Sequence, residues 1–130
     1  MKIINGKNAI LGRLASYIAK EALKGEEIVL LNCNQIVITG NKKDIKEKFE
    51  AKRQRVGSGQ KGPKISRVPY LIVKRTIRGM IPNHRKGRGK QALKRIKCYS
   101  KTPKEFEESK KIIGGKEKKT KFLKINELKK

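Results

Sequence analysis

Leu11, Leu14, Ala15, Ile18, Ala19 and Ala22 stand at offsets 0, 3, 4, 7, 8 and 11. That spacing gathers them into one stripe of a helix, and Gly25 supplies its C-terminal cap. On either side the rhythm changes. Lys2-Ile3-Ile4-Asn5 predicts a short strand that runs into a turn at Gly6-Lys7-Asn8. Ile28-Val29-Leu30-Leu31 is a continuous apolar run of strand length. Asn32-Cys33-Asn34 then turns the chain into a second β-branched run over residues 35–39. Strands that are apolar throughout predict a sheet covered on both faces. The order strand, helix, strand predicts a right-handed βαβ unit.

Past Gly40 the apolar positions thin out. Asn41 is an N-cap residue and Asp44 falls in the first turn of a helix over residues 42–55. Ile45, Phe49 and Val56 mark its inner side, and Lys43, Lys46, Lys48, Lys52, Arg53 and Arg55 its outer side. Residues 57–67 are Gly-rich and basic, without apolar periodicity. Pro69 suits the first turn of a third helix, from Tyr70 to about Arg78. Leu71, Ile72, Thr76 and Ile77 form its apolar side. Gly79 and Pro82 stop it, a second basic loop follows over 83–89, and residues 90–95 predict a short helix held by Ala92, Leu93 and Ile96. Residues 96–99 predict a last strand. The division expected is an α/β domain over 1–100 and a basic C-terminal tail over 101–130. In that tail Gly114-Gly115 reads as a flexible joint, and Phe122, Leu123, Ile125 and Leu128 as anchors.

Charge changes this picture most. The chain carries 36 Lys and Arg against 11 Asp and Glu, a formal charge of +25. Residues 51–104 hold eighteen of those cations and no acid at all. Such a stretch repels itself unless a polyanion is its usual partner, which points to nucleic acid held through phosphates. The cations expected to touch RNA from this stretch are Lys52, Arg53 and Arg55 at the end of the second helix. Lys61, Lys64 and Arg67 follow in the Gly-rich loop, and Lys74 on the third helix. Few aromatics interleave with these cations, which favours a structured RNA read by shape and phosphates over a single strand read by stacking. No apolar run approaches a membrane span, and Met1-Lys2-Ile3-Ile4 is too short a start for a signal peptide, so an intracellular protein without a membrane partner is expected.

Enzymatic chemistry has little to build on. Gly57, Gly59 and Gly62 spell G-x-G-x-x-G, but the motif runs into Pro63 and no acid follows at the spacing a dinucleotide site needs. Glycines here, and in Gly87-Arg88-Gly89, are expected to let backbone N–H groups approach phosphates. His84 is the sole histidine, and no carboxylate in this half of the chain can orient it or hold a metal. Cys33 and Cys98 are expected as buried thiols with no disulfide and no metal. No catalytic residue, cofactor or small-molecule substrate is therefore assigned.

Thr76-Ile77-Arg78-Gly79-Met80-Ile81-Pro82, followed by Gly87-Arg88-Gly89-Lys90-Gln91-Ala92-Leu93-Lys94-Arg95-Ile96-Lys97-Cys98-Tyr99, resembles the large-subunit ribosomal protein thirteen family. Gly12-Arg13-Leu14-Ala15 and Ile36-Val37-Ile38-Thr39-Gly40-Asn41-Lys42 add to the resemblance. The short link before Glu27 is similar to the archaeal and eukaryotic branch. The resemblance implies a three-layer α/β/α fold around a small, mostly parallel sheet, with an extended basic C-terminal tail. It also implies a structural role in the large subunit, on the cytoplasmic ribosome, with rRNA and neighbouring ribosomal proteins as partners. By matched position it carries over Arg75, Arg78, Arg85, Lys86, Arg88, Lys90, Lys94 and Arg95 as RNA contacts. The competing expectation is an RNA-processing or RNA-modifying enzyme on a small α/β fold.

Overall fold

Four parallel strands form the main sheet of the computed structural model, which describes residues 2–55, 65–106, 112–113, 115 and 120–129. β1 (Lys2–Asn5) and β2 (Ile28–Leu31) are its inner strands, β4 (Ile96–Cys98) and β5 (Ile112–Ile113) its edges, in the order β4-β2-β1-β5. Parallel neighbours need a crossover, and α1 (Leu11–Leu23) provides the one between β1 and β2. The pairing sets Ile3 opposite Val29 and Leu30 opposite Cys98. Side chains alternate between the faces of a strand. Ile28 and Leu30, with Ile4 and Ile96, enter the main core, while Val29 and Leu31 are also buried, so both faces of β2 are covered.

The predicted stripe of α1 is its buried face. Leu14, Ala15, Ile18, Ala19 and Ala22 are all enclosed and Leu11 packs at the margin. Burial of a side chain such as Ile18 contributes ~1.5–3 kcal/mol. Lys24 caps α1, and Gly25 follows with φ 104°, the left-handed residue that closes a helix at little cost. Against α1 lie α3 (Pro69–Met80) and α4 (Gly87–Lys94). α2 (Lys42–Gln54) begins as expected, with Asn41 Oδ1 accepting from Lys43 N at 3.1 Å. No residue of α2 is fully buried, and Ile45 and Phe49 are half-buried. The expected Val56 contact lies outside the described residues.

Several elements differ from expectation. Asn32, at φ 58°, and a 3-10 turn at Cys33–Gln35 redirect the chain, so β3 (Val37–Thr39) leaves the main sheet. It pairs antiparallel with β6 (Phe122–Lys124) in a second, two-stranded sheet. β4 is an edge and not the last strand, because β5 and β6 follow it. In α3 the buried residues include Val73 and Ile77, whereas Leu71 faces outward. Gly115 is not a loose joint: a Cβ there would sit 2.6 Å from both Ala9 Cα and Asn8 O. The tail anchors are borne out for Leu123, Ile125 and Leu128, which are buried, while Phe122 is half-buried.

Candidate nucleic-acid interface

Burial of Val73 and Ile77 fixes the roll of α3 and turns its cations away from the core. Arg75 and Arg78 are exposed, and Lys74 is half-buried beside β4. Ahead of the helix, Ser66 Oγ accepts from Val68 N at 3.1 Å, and Pro69 occupies the first turn. After it, buried Ile81 pins the loop that presents Arg85 and Lys86. Asn83 takes φ 44° and Gly87 φ 62° to make the bend.

Gly89 is required by the packing of the loop itself. A Cβ at Gly89 would collide with the carbonyl oxygens of Pro82 and Asn83, so the first turn of α4 rests directly on the preceding loop. Buried Ala92 holds α4 against α1 and leaves Lys90 and Lys94 exposed. Two guanidinium groups close this contact. Arg95 Nη1 donates to Ala22 O at 3.0 Å and Arg88 Nη2 to Leu23 O at 3.4 Å. Both satisfy carbonyls at the C-terminal end of α1, where the helix dipole favours cations.

Other candidates also have internal partners. Arg53 Nε donates to Ile65 O at 3.0 Å, and Arg67 pairs with Glu50 at 2.6 Å. Arg75, Arg78, Arg85, Lys86, Lys90 and Lys94 are exposed and make no hydrogen bond or ion pair with a described residue. Lys52 and Arg55 are exposed at the end of α2. Lys61 and Lys64 lie outside the described residues. Lys74, Arg75 and Arg78 come together with Leu71 and Leu93 around a shallow depression of about 340 Å³. An array of unpaired cations with little acid nearby can hold phosphates, and Arg adds bidentate geometry.

Phe49 and Lys48 were not among the sequence candidates. The structure sets them on a second, larger groove beside Lys52 and Arg75. His84 is half-buried, and among the described residues no group of three or more His, Cys, Asp or Glu side chains could hold a metal. Cys33, at the start of the 3-10 turn after β2, and Cys98, at the end of β4, are free thiols. A hydrogen bond from one to the other, with burial, raises the Cys33 pKa, and the same contact lowers that of Cys98. No described helix is long and apolar enough to cross a membrane.

The family model for Ribosomal protein L13 matches residues 1–105, which contain α1 to α4 and β1 to β4. The chain belongs to that family. It is 48% identical over 107 residues to Large ribosomal subunit protein uL13 of Methanopyrus kandleri, covering 82% of this chain and 66% of that one. It is 43% identical over 133 residues to the protein of the same name from Methanocaldococcus jannaschii, covering 100% of this chain and 96% of that one. The likeness to the archaeal branch and the α/β class with a small, mostly parallel sheet are thus both borne out.

Proposed function

We propose that the protein is a structural component of the large ribosomal subunit, binding and stabilising folded large-subunit rRNA through phosphate contacts. The observation that carries this is the acid-free stretch 51–104, which exposes cations on α3, the following loop and α4 as well as at the end of α2. The names of its archaeal relatives support the same assignment. It acts on the cytoplasmic ribosome, with rRNA and neighbouring ribosomal proteins as partners and no cofactor. Arg75, Arg78, Arg85, Lys86, Lys90 and Lys94 are the principal contacts. Arg53, Arg67, Arg88 and Arg95 combine a structural bond with whatever phosphate they meet.

Purified full-length protein and a large-subunit rRNA transcript from Methanocaldococcus jannaschii provide the test. With ~6–10 phosphates engaged, affinity should fall ~10³–10⁵-fold between 50 and 200 mM salt. Arg78→Glu with Arg85→Glu should flatten the salt slope by ~1 for each cation lost. Neither residue has an internal partner among the described residues, so the melting temperature should hold or rise. A flat salt response in the wild type, or unchanged affinity in the double variant, overturns the proposal.

A further inference from the structure

An open groove of about 520 Å³ lies where β3, α2, α3 and the C-terminal 3-10 turn (Ile125–Lys129) converge. Its floor is apolar and includes Ile38, Ile45, Phe49, Leu71, Ile72 and Leu128. Among the described residues its charged lining side chains are Lys48, Lys52 and Arg75, with no acid. Leu71 and Arg75 also line the depression that holds Lys74 and Arg78, so the two hollows share one ridge. An apolar slot with an aromatic wall thus opens directly beside a cluster of cations.

We propose that this groove receives a nucleobase turned out of an rRNA loop, stacked on Phe49, with its backbone phosphates held by Lys74, Arg75 and Arg78. The inference rests on the rRNA-binding reading above and assigns to it a site that reads a base, not only phosphates. Unpaired bases in folded RNA are recognised on aromatic side chains. The volume falls within the range of small-molecule sites, about 300–1,000 Å³. Charge decides between an RNA and a protein occupant. The buried centre of a protein interface is depleted in Lys, whereas two Lys and an Arg line this slot with no acid among its described lining residues. Glu50 and Glu127 line a separate hollow that Phe49 also borders, and they are already paired with Arg67 and Lys42.

The proposal separates stacking from charge. In the rRNA transcript assay, Phe49→Leu should weaken binding about 5- to 150-fold, the fold-change of one lost base stack, without altering the salt slope. Arg75→Gln should lower the slope by ~1. Leu71→Asn alters an exposed position without adding charge, keeps the melting temperature, and should weaken binding at an unaltered salt slope as Phe49→Leu does. Dimethyl sulfate should find an unpaired adenine or cytosine that the wild type protects and Phe49→Leu leaves reactive, while other protections persist. The base site is overturned if affinity and protections are unchanged in folded Phe49→Leu and in Leu71→Asn, even as Arg75→Gln weakens binding. It is also overturned if Phe49→Leu binds the transcript normally yet fails to enter large subunits, which would assign the groove to a protein segment. Loss of salt-dependent binding by the wild type itself would remove the rRNA reading instead.

Discussion

Glu21 shows how one residue's environment sets its chemistry. It lies on α1 with little exposure, and Lys2 Nζ donates to its Oε2 at 2.7 Å. Lys24 sits 3.5 Å from the other oxygen. The hydrogen bond from Lys2 holds the Glu21 carboxyl below its ordinary 4.5 and raises the Lys2 ammonium above its ordinary 10.5. A lowered carboxylate pKa contributes stability that is present above pH 4.5 and lost as pH falls through the folded value. A raised ammonium contributes below pH 10.5 and loses it as pH rises through its own folded value. Glu21→Gln should therefore melt below the wild type at pH 7, and the gap should close under acid. Melting curves from pH 7 to pH 2 measure it, and a gap that stays constant would remove the ion pair as its source. None of this was visible in sequence, because Lys2 and Glu21 are nineteen positions apart and meet only when β1 and α1 pack.

At the scale of elements, α1 and α3 illustrate two degrees of legibility. The α1 stripe is regular and its buried face follows directly from it. In α3, Val73 is buried and Leu71 exposed, because packing against α1 chose a narrower stripe than hydrophobicity alone marks out. This separates stability from binding. Ile18→Ala, at a fully enclosed site, should cost ~2–5 kcal/mol, read as a lower urea midpoint with little change in slope. The rRNA salt slope should stay unaltered in that variant under native conditions. If Ile18→Ala leaves the midpoint in place, the α1–α3 contact is not the core described here.

The whole molecule carries a formal charge of +25, and 51–104 contributes eighteen cations to it without an acid. The free protein should therefore gain stability as salt screens self-repulsion. Between 10 and 150 mM the screening length drops from about 30 to about 8 Å. Its melting temperature should rise over that interval, while rRNA affinity falls over the same range. Opposite responses of fold and complex to one variable are what the proposed rRNA contacts of this surface predict. A melting temperature that falls or stays level would show that the cations do not repel one another in the folded state.

The sequence alone was enough to identify β1, α1 and β2, the Asn41 cap of α2, the Pro69 start of α3 and the acid-free stretch. Each is written in neighbouring residues, as a periodicity, a capping side chain or a run of like charge. Tertiary structure decided what depends on residues far apart in the chain. β3 pairs with β6 more than eighty positions later, and β5 joins β1 across more than a hundred. Arg88 and Arg95 close α1 from 65 and 73 positions away. Gly115 is forced by the backbone of Asn8 and Ala9, not by its own neighbours. The groove at Phe49 exists because α2, α3 and the C-terminal turn meet around it. A residue's rhythm records which side faces inward; which partner waits there is set by the closing of the chain.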